Sequence, residues 1–400
     1  MIIGIEGQRL FRVKKHGKDM FALELISNLQ LIDHENEYLI FVKPGANSSV
    51  LQETENFKIV PLKSRFYPFW EQVSLLRASR KTGCQILHCT ANTTPILTKM
   101  PLVFQLHDII YLESSCLKIL TGSSALYQKF VNIYRCLIVP LIVKKSQRII
   151  TVTHLDKNRI GNFFEIGKSS KLKAIYCGVS AHFKPVGDLQ ELNRVKERYN
   201  LPESYFFFLG NNDPKKNTKG TLKAYSDFVK TRGNGIKLVI AYFKRHELVS
   251  LLSEMGDPLR INDIFLVGYV LNNHLPAIYC QCEIFLYPSI RENFGIPILE
   301  ATASGVPVIS SNKSSMPEVA GDAALLPDPC RPDEITAAMM RIVDDAELKS
   351  QLISKGFIQA AKFSWKSMAE KMLAVYSEVG EEKGLGANMD FNGTNGINSN

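Results

Sequence analysis

Four hundred residues at 45% hydrophobic and 22% charged describe a globular chain with room for two domains of ordinary size. The net charge of +9 is lopsided: residues 1–155 carry 19 Lys and Arg against 11 Asp and Glu, while the rest is nearly balanced. The eight cysteines form no CxxC pair and have no matching histidine cluster, which argues against a zinc site or disulfide framework and for reduced thiols in a cytosolic protein.

The chain opens on MIIGIEG, an apolar strand that meets polar residues after five positions, so no signal peptide is expected. Strands are expected at Ile2–Glu6, Tyr38–Val42, Lys58–Pro61, Ile86–His88, Leu102–Leu106 and Arg148–Val152, with helices over Asp19–Leu31 and Pro68–Lys81 between them. The longest apolar run in this half, Cys136–Val143, contains Pro140 and falls far short of the roughly 20 residues a spanning helix needs. From Ser114 to Leu155 there is no acid, while Lys118, Lys129, Arg135, Lys144, Lys145 and Arg148 recur among apolar residues. That pattern fits a plain solvated helix face, or a surface for anionic lipid head groups or a phosphate-bearing substrate; no nucleic-acid module accompanies it. Lys173–Glu203, with Gly178, Pro185, Gly187 and Pro202, reads as a join between halves.

The second half repeats the alternation, with strands at Tyr205–Gly210, Lys237–Ala241, Ile264–Val267, Glu283–Pro288, Val306–Ser310 and Ala323–Leu326. Helical patterns cover Thr218–Thr231, Leu271–Gln281 and Ile335–Val343. The alternation specifies an α/β fold: two doubly wound, Rossmann-like domains of parallel strands, with ligands beyond the strands' carboxyl ends in a central cleft. The expected organisation is an N-terminal Rossmann-like domain (1–175), a linker region (176–203), a C-terminal Rossmann-like domain (204–363), a C-terminal helix (364–380) and a disordered tail (381–400).

Four stretches carry chemistry. The first strand runs into Gly7 and the basic loop RLFRVKKHGKDM, where Gly17 permits close backbone approach; a solvated loop is the plain alternative. His107 and Asp108 follow the strand of PLVFQLHDII, as catalytic residues or as structural ones. In FFFLGNNDPKKNTKG, Lys215-Lys216-Asn217 opens a helix, and cations there oppose the helix dipole unless a bound diphosphate rewards them; a pair of solvated loop lysines is the plain alternative. In SIRENFGIPILEATASGVPV, a helix over Phe294–Ser304 is expected, and Glu292 and Glu300 stand eight residues apart, about 12 Å of helix rise. That is too far to share one glycosidic bond, but it suits two grips on one extended ligand, with the free amides of Phe294, Gly295 and Ile296 between them. The chain contains no Asp-x-Asp, so metal-dependent diphosphate binding of that type is not supported, and no metal site or cofactor is expected.

Together these motifs resemble the retaining glycosyltransferases of the GT-B fold, specifically glycosyltransferase family 4. The resemblance covers nearly all of residues 1–380 and is most specific over Pro288–Pro329, which is similar to the family's E-x7-E segment and its continuation. It implies transfer of a sugar from a nucleoside diphosphate to a hydroxyl, with retained configuration and no bound metal. Implied roles are Glu300 on the donor's ribose, Glu292 on the sugar and Lys216 on the departing diphosphate. The amides of Phe294, Gly295 and Ile296 and the backbone at Gly17 would serve the sugar and diphosphate. His107 would stand near the anomeric centre, and the backbone near Val270 would frame the base. Three positions depart from the family: Asn211 replaces an Arg in the phosphate loop, Asn293 a Gly, and CGVS at Cys177–Ser180 an N-G-V-D turn. The implied partners are a nucleotide-sugar donor and a carbohydrate or lipid-linked acceptor, in cell-surface polysaccharide or glycolipid synthesis. The setting would be cytoplasmic, with peripheral inner-membrane contact through the basic N-terminal domain. A sugar-nucleotide epimerase of the same fold and a two-domain sugar-binding protein are the competing classes; the E-x7-E context fits the first poorly, and the lysine-bearing loop argues against the second.

Overall fold

The computed structural model describes residues 1–12, 17–64, 66–113 and 126–385. Its contacts divide the chain into two units: Met1–Thr151 with Lys157–Ile175 and the chain from Ala369 on, and Val152–Asp156 with Tyr176–Met368.

The first unit is built on seven parallel strands: β1 (Ile2–Gly7), β2 (Glu37–Val42), β3 (Phe57–Pro61), β4 (Ile86–Cys89), β5 (Leu102–Gln105), β6 (Arg148–Thr151) and β7 (Leu172–Ala174). They lie in the order β3-β2-β1-β4-β5-β6-β7, so the winding reverses between β1 and β4. Helices cover both faces, which is why β4, β5 and β6 are buried along their whole length. The long helix Leu126–Lys145 runs through Pro140, and its Val139, Ile142 and Val143 join Phe104, Leu106, Ile149 and Ile160 in one core.

The second unit has six parallel strands: β8 (Tyr205–Leu209), β9 (Lys237–Ala241), β10 (Ile264–Gly268), β11 (Ile284–Leu286), β12 (Val308–Ile309) and β13 (Ala324–Leu325). Their order β10-β9-β8-β11-β12-β13 is that of a dinucleotide-binding sheet, reversing between β8 and β11. Phe206, Phe208, Ile240, Leu286 and Ile309 form its core with Leu222, Tyr225 and Phe228 of the helix Thr218–Arg232.

Both sheets are as expected, with three departures in detail. The stretch read as a linker carries β7 at its start and the helix Leu189–Tyr199, which begins at Asp188, whose carboxylate accepts from the Gln190 amide. That helix buries only Val195 fully, although Leu189, Leu192, Val195 and Tyr199 recur at helical spacing along it. Of the tail read as disordered, Glu381 and Glu382 close the last helix, Trp365–Glu382, and residues beyond 385 lie outside the described set, as do Lys14, Lys15 and Lys118 of the basic stretches. No described helix is long and apolar enough to cross a membrane.

Candidate active site at the switch point of the second sheet

The strand order reverses between β8 and β11, the switch point beyond whose carboxyl ends sheets of this kind take ligands. After β8 the chain turns at Asn211, whose side-chain oxygen accepts from the Asp213 amide at 2.8 Å. Asp213 then caps a single 3₁₀ turn, Pro214–Lys216. Asn217 adopts a left-handed conformation (φ 57°), and only from Thr218 does the α-helix begin. The lysines therefore precede the helix on a separate turn rather than opening it.

Three bonds lash this loop to its neighbours. The Asn217 amide group donates to the carbonyls of Pro288 at 3.1 Å and Pro329 at 2.6 Å, and the Ile290 amide donates to the Lys215 carbonyl at 2.7 Å. They bring Lys216 onto Glu292: Nζ lies 2.6 Å from Oε1 and also donates to the Tyr287 hydroxyl at 3.1 Å, while standing 5.2 Å from the centre of the Tyr287 ring. The ammonium and carboxylate are both mostly sheltered, so their attraction is less screened than that of a surface pair. Tyr287 also hydrogen-bonds Glu292; burial first, and then the nearby Glu292 and Glu300 carboxylates, hold its hydroxyl firmly protonated.

The expectation that Glu292 and Glu300 ride one helix is corrected. The helix spans Ile296–Ala303; Glu292 sits in the loop before it, because Gly295 takes φ 108°, a conformation that interrupts the helical path. The Ser315 hydroxyl donates to the carbonyls of Glu292 at 3.1 Å and Phe294 at 2.8 Å, and Ser314 donates to Glu292 at 2.7 Å, fixing the loop in that turn. The amides of Phe294, Gly295 and Ile296 donate to no described acceptor, as at any helix start awaiting an anion or hydroxyl.

Glu300 keeps some exposed surface, yet its carboxyl is set deeply enough that burial pushes it up to about 7, only partly offset by the Tyr279 hydroxyl donating at 3.4 Å. Beyond it, the Tyr242 hydroxyl donates to the Val270 carbonyl at 3.2 Å, and Tyr242 and Tyr269 present exposed rings in edge contact.

The structure thus brings Lys216, Glu292, Phe294, Gly295, Ile296 and Glu300 of one unit into the neighbourhood of Tyr287, with Asn211 shaping the loop and Val270 buried beneath Tyr242. Gly17 and His107 belong to the first unit. Gly17 begins the helix Gly17–Ile32, and a Cβ there would meet no atom. His107 is buried after β5, its ring nitrogen Nε2 donating to the Thr90 carbonyl at 3.0 Å, and burial pushes its pKa down to about 3. Its ring is therefore neutral at physiological pH. Tyr287, Ser314 and Ser315 escaped the sequence reading; Tyr287, a polar aromatic ending the apolar run IFLY, was the one with a visible signal. Among the described residues no group of three or more His, Cys, Asp or Glu is placed to hold a metal ion.

Residues 190–359 match the family described as glycosyl transferases group 1. The match lies within the second unit and takes in β8 to β13 with their switch point, so this part of the chain is similar to group 1 glycosyl transferases. The O-antigen chain mannosyltransferase B of Escherichia coli is 31% identical over 232 residues, covering 58% of this chain and 60% of that enzyme. The serotype-specific mannosyltransferase WbdA of the same organism is matched over only 26% of its length, so the chain spans less than two thirds of these relatives. The alpha-D-kanosaminyltransferase of Streptomyces kanamyceticus is 22% identical over 92% of this chain and 90% of its own. Among solved structures, the sucrose-phosphate synthase of Thermosynechococcus elongatus superposes with a TM-score of 0.72 at 15% identity, covering 95% of this chain and 99% of that one. Anabaena HepE in complex with UDP and glucose gives 0.69 at 14% identity over 94% and 99%. The chain thus has the two-sheet GT-B fold of these structures.

Proposed function

We propose that this protein is a retaining glycosyltransferase of family 4 that moves a sugar from a nucleoside diphosphate to a hydroxyl acceptor, on the cytoplasmic side, in cell-surface polysaccharide or glycolipid synthesis. The observation that carries the reading is the Lys216–Glu292–Tyr287 cluster beside three open amides, at the switch point of a nucleotide-binding sheet. Without donor, the lysine and glutamate neutralise each other. A donor separates their tasks: the diphosphate takes the ammonium, and sugar hydroxyls donate to the carboxylate. As the glycosidic C–O bond breaks, negative charge grows on the departing diphosphate, where Lys216 and the amides of Phe294, Gly295 and Ile296 oppose it. The acceptor hydroxyl attacks from the face the diphosphate leaves and gives its proton to a diphosphate oxygen. Glu300 receives the ribose hydroxyls, and the Val270 backbone borders the base.

In the first unit, the acceptor is assigned to the switch point between β1 and β4, where the Thr90 hydroxyl donates to the Glu6 carboxylate at 3.0 Å, His107 bonds the Thr90 carbonyl, and Gly17 precedes Lys18, which pairs with Asp108. The basic excess of residues 1–155 fits a lipid-linked acceptor at an anionic membrane surface. A screen of nucleotide sugars, read as nucleoside diphosphate release, tests the reading with wild type beside Glu292→Ala and Lys216→Ala. Turnover confined to the wild type is expected; undiminished turnover in both variants would refute the site.

A further inference from the structure

The outer face of the helix Leu126–Lys145 is apolar where a solvated helix would be polar. Phe130, Leu137 and Leu141 are 43%, 69% and 51% exposed. Their spacing of seven and four residues puts all three on one stripe of the helix. The stripe does not stand alone. Phe130 lies 5.6 Å from Phe66, itself 50% exposed, at the entry of the neighbouring helical stretch, and Phe69, 51% exposed, follows on that stretch. Tyr134, on the same stripe between Phe130 and Leu137, ties the two stretches together, its hydroxyl donating to Glu71 at 2.6 Å and accepting from Gln72 at 2.8 Å. Lys145 Nζ reaches the Ile96 carbonyl at 2.5 Å, which sets Leu97, 73% exposed, beside the stripe's C-terminal end. Six large apolar side chains on one face exceed the scatter of single exposed residues expected of a monomer.

The charges around this face share one sign. Lys144 and Lys145 end the stripe, Lys99 follows Leu97 by two residues and Lys63 precedes Phe66 by three; all four are exposed, and none pairs with a described carboxylate. No acid occurs in the sequence between Glu113 and Asp156. A helix of this kind is not long and apolar enough to cross a bilayer. Apolar stripe, basic end and missing acids fit the plane of an anionic bilayer, with rings and leucines among the acyl chains and lysines at the phosphates.

We propose that the first unit docks on an anionic phospholipid surface through Phe66, Phe69, Leu97, Phe130, Leu137 and Leu141, with Lys144 and Lys145 as its electrostatic rim. This gives residues to the membrane contact named above, yet it is tested without any transfer reaction. Purified protein is co-sedimented with phosphatidylcholine vesicles with and without phosphatidylglycerol, at low and raised salt. Wild type is compared with Phe130→Ser/Leu137→Ser/Leu141→Ser and with Lys144→Glu/Lys145→Glu. Wild type should sediment with phosphatidylglycerol vesicles and be released by salt, and each variant should lose about 10-fold or more in partitioning. Unchanged thermal unfolding would show the variants folded, since every replaced side chain lies outside the core. Vesicle binding equal in wild type and both variants, or absent in the wild type, overturns the proposal. So does a wild-type dimer that the serine variant dissociates, which would make the face a protein interface. Failure here leaves the transfer reading standing, and a failed donor screen leaves the docking result standing.

Discussion

Lys216 and Glu292 sit 2.6 Å apart and share Tyr287, so removing either changes both electrostatics and position. Lys216→Ala deletes the cation facing the leaving diphosphate, and its kcat should fall by about 10²–10³, the loss typical of one transition-state donor. Glu292→Ala frees the ammonium for the diphosphate while losing the sugar contact, so kcat should fall while nucleoside diphosphate binding holds or tightens; calorimetry with the diphosphate alone separates the two. Glu300 makes a pH prediction. An unfolded glutamate ionises near 4.5, and this one near 7, so the folded protein holds the proton more tightly and stability declines as pH rises through that interval. Above about pH 7 the full cost of the buried charge is present, at most about 3 kcal/mol and less for the part of the residue still in contact with water. Glu300→Gln should therefore raise the melting temperature near pH 8 and change it little near pH 5, read by calorimetry at both. Ribose hydroxyls prefer the carboxylate, so nucleoside diphosphate affinity in the wild type should rise with pH up to about 7 and flatten in the variant. Charged residues at strand ends, such as Glu292 and Lys216, were legible because their type and place conflict with mere stability. The bond between them was not, because it depends on how two loops separated by more than 70 residues are tied together.

Those ties belong to the scale of elements. Asn217 has a left-handed backbone and donates to two loops, tasks alanine cannot perform. Asn217→Ala should cost roughly 2–3 kcal/mol from two lost buried acceptors and backbone strain, measurable by urea unfolding. Gly220 is the matching small residue, since a Cβ there would come within 2.3 Å of the Asn217 side chain. Ser315 separates position from stability differently. Ser315→Ala removes the donor to the Glu292 and Phe294 carbonyls but no apolar contact of consequence, so turnover should suffer about 10-fold with a small change in melting temperature. The strands were readable because parallel strands buried on both faces are written as continuous apolar runs. The elements that escaped lack such a signature. β7 has three residues, Leu189–Tyr199 buries one side chain, and Leu126–Lys145 carries a proline inside and apolar residues on both faces. In the last of these, the pattern that hid the helix is the one that marks its exposed face.

At the scale of the whole molecule, the order of the chain and the order of folding units differ. The segment from Ala369 follows the second unit in sequence but belongs to the first. Met372, Val375, Tyr376 and Val379 are buried there, and the Tyr376 hydroxyl shares a hydrogen bond of 2.7 Å with Nδ1 of His88. Burial pushes His88 down to about 3, so its ring stays neutral throughout the physiological range. Around this contact Arg148 pairs with Glu378 and Glu382, and Lys173 reaches Glu378 at 2.5 Å. A fragment of residues 1–175 would thus leave an apolar face open and His88 without its partner. It should be aggregation-prone or lack sharp thermal unfolding, although every strand of its sheet is present. The same fragment joined by a flexible linker to residues 365–385 should regain a cooperative transition by calorimetry. Within the intact protein, Tyr376→Phe is the milder version: shape is kept and Nδ1 of buried His88 loses its hydrogen-bond partner, for about 1–3 kcal/mol of stability. If the 1–175 fragment unfolds as cooperatively as the joined one, the C-terminal helix is an accessory rather than part of the first unit's core.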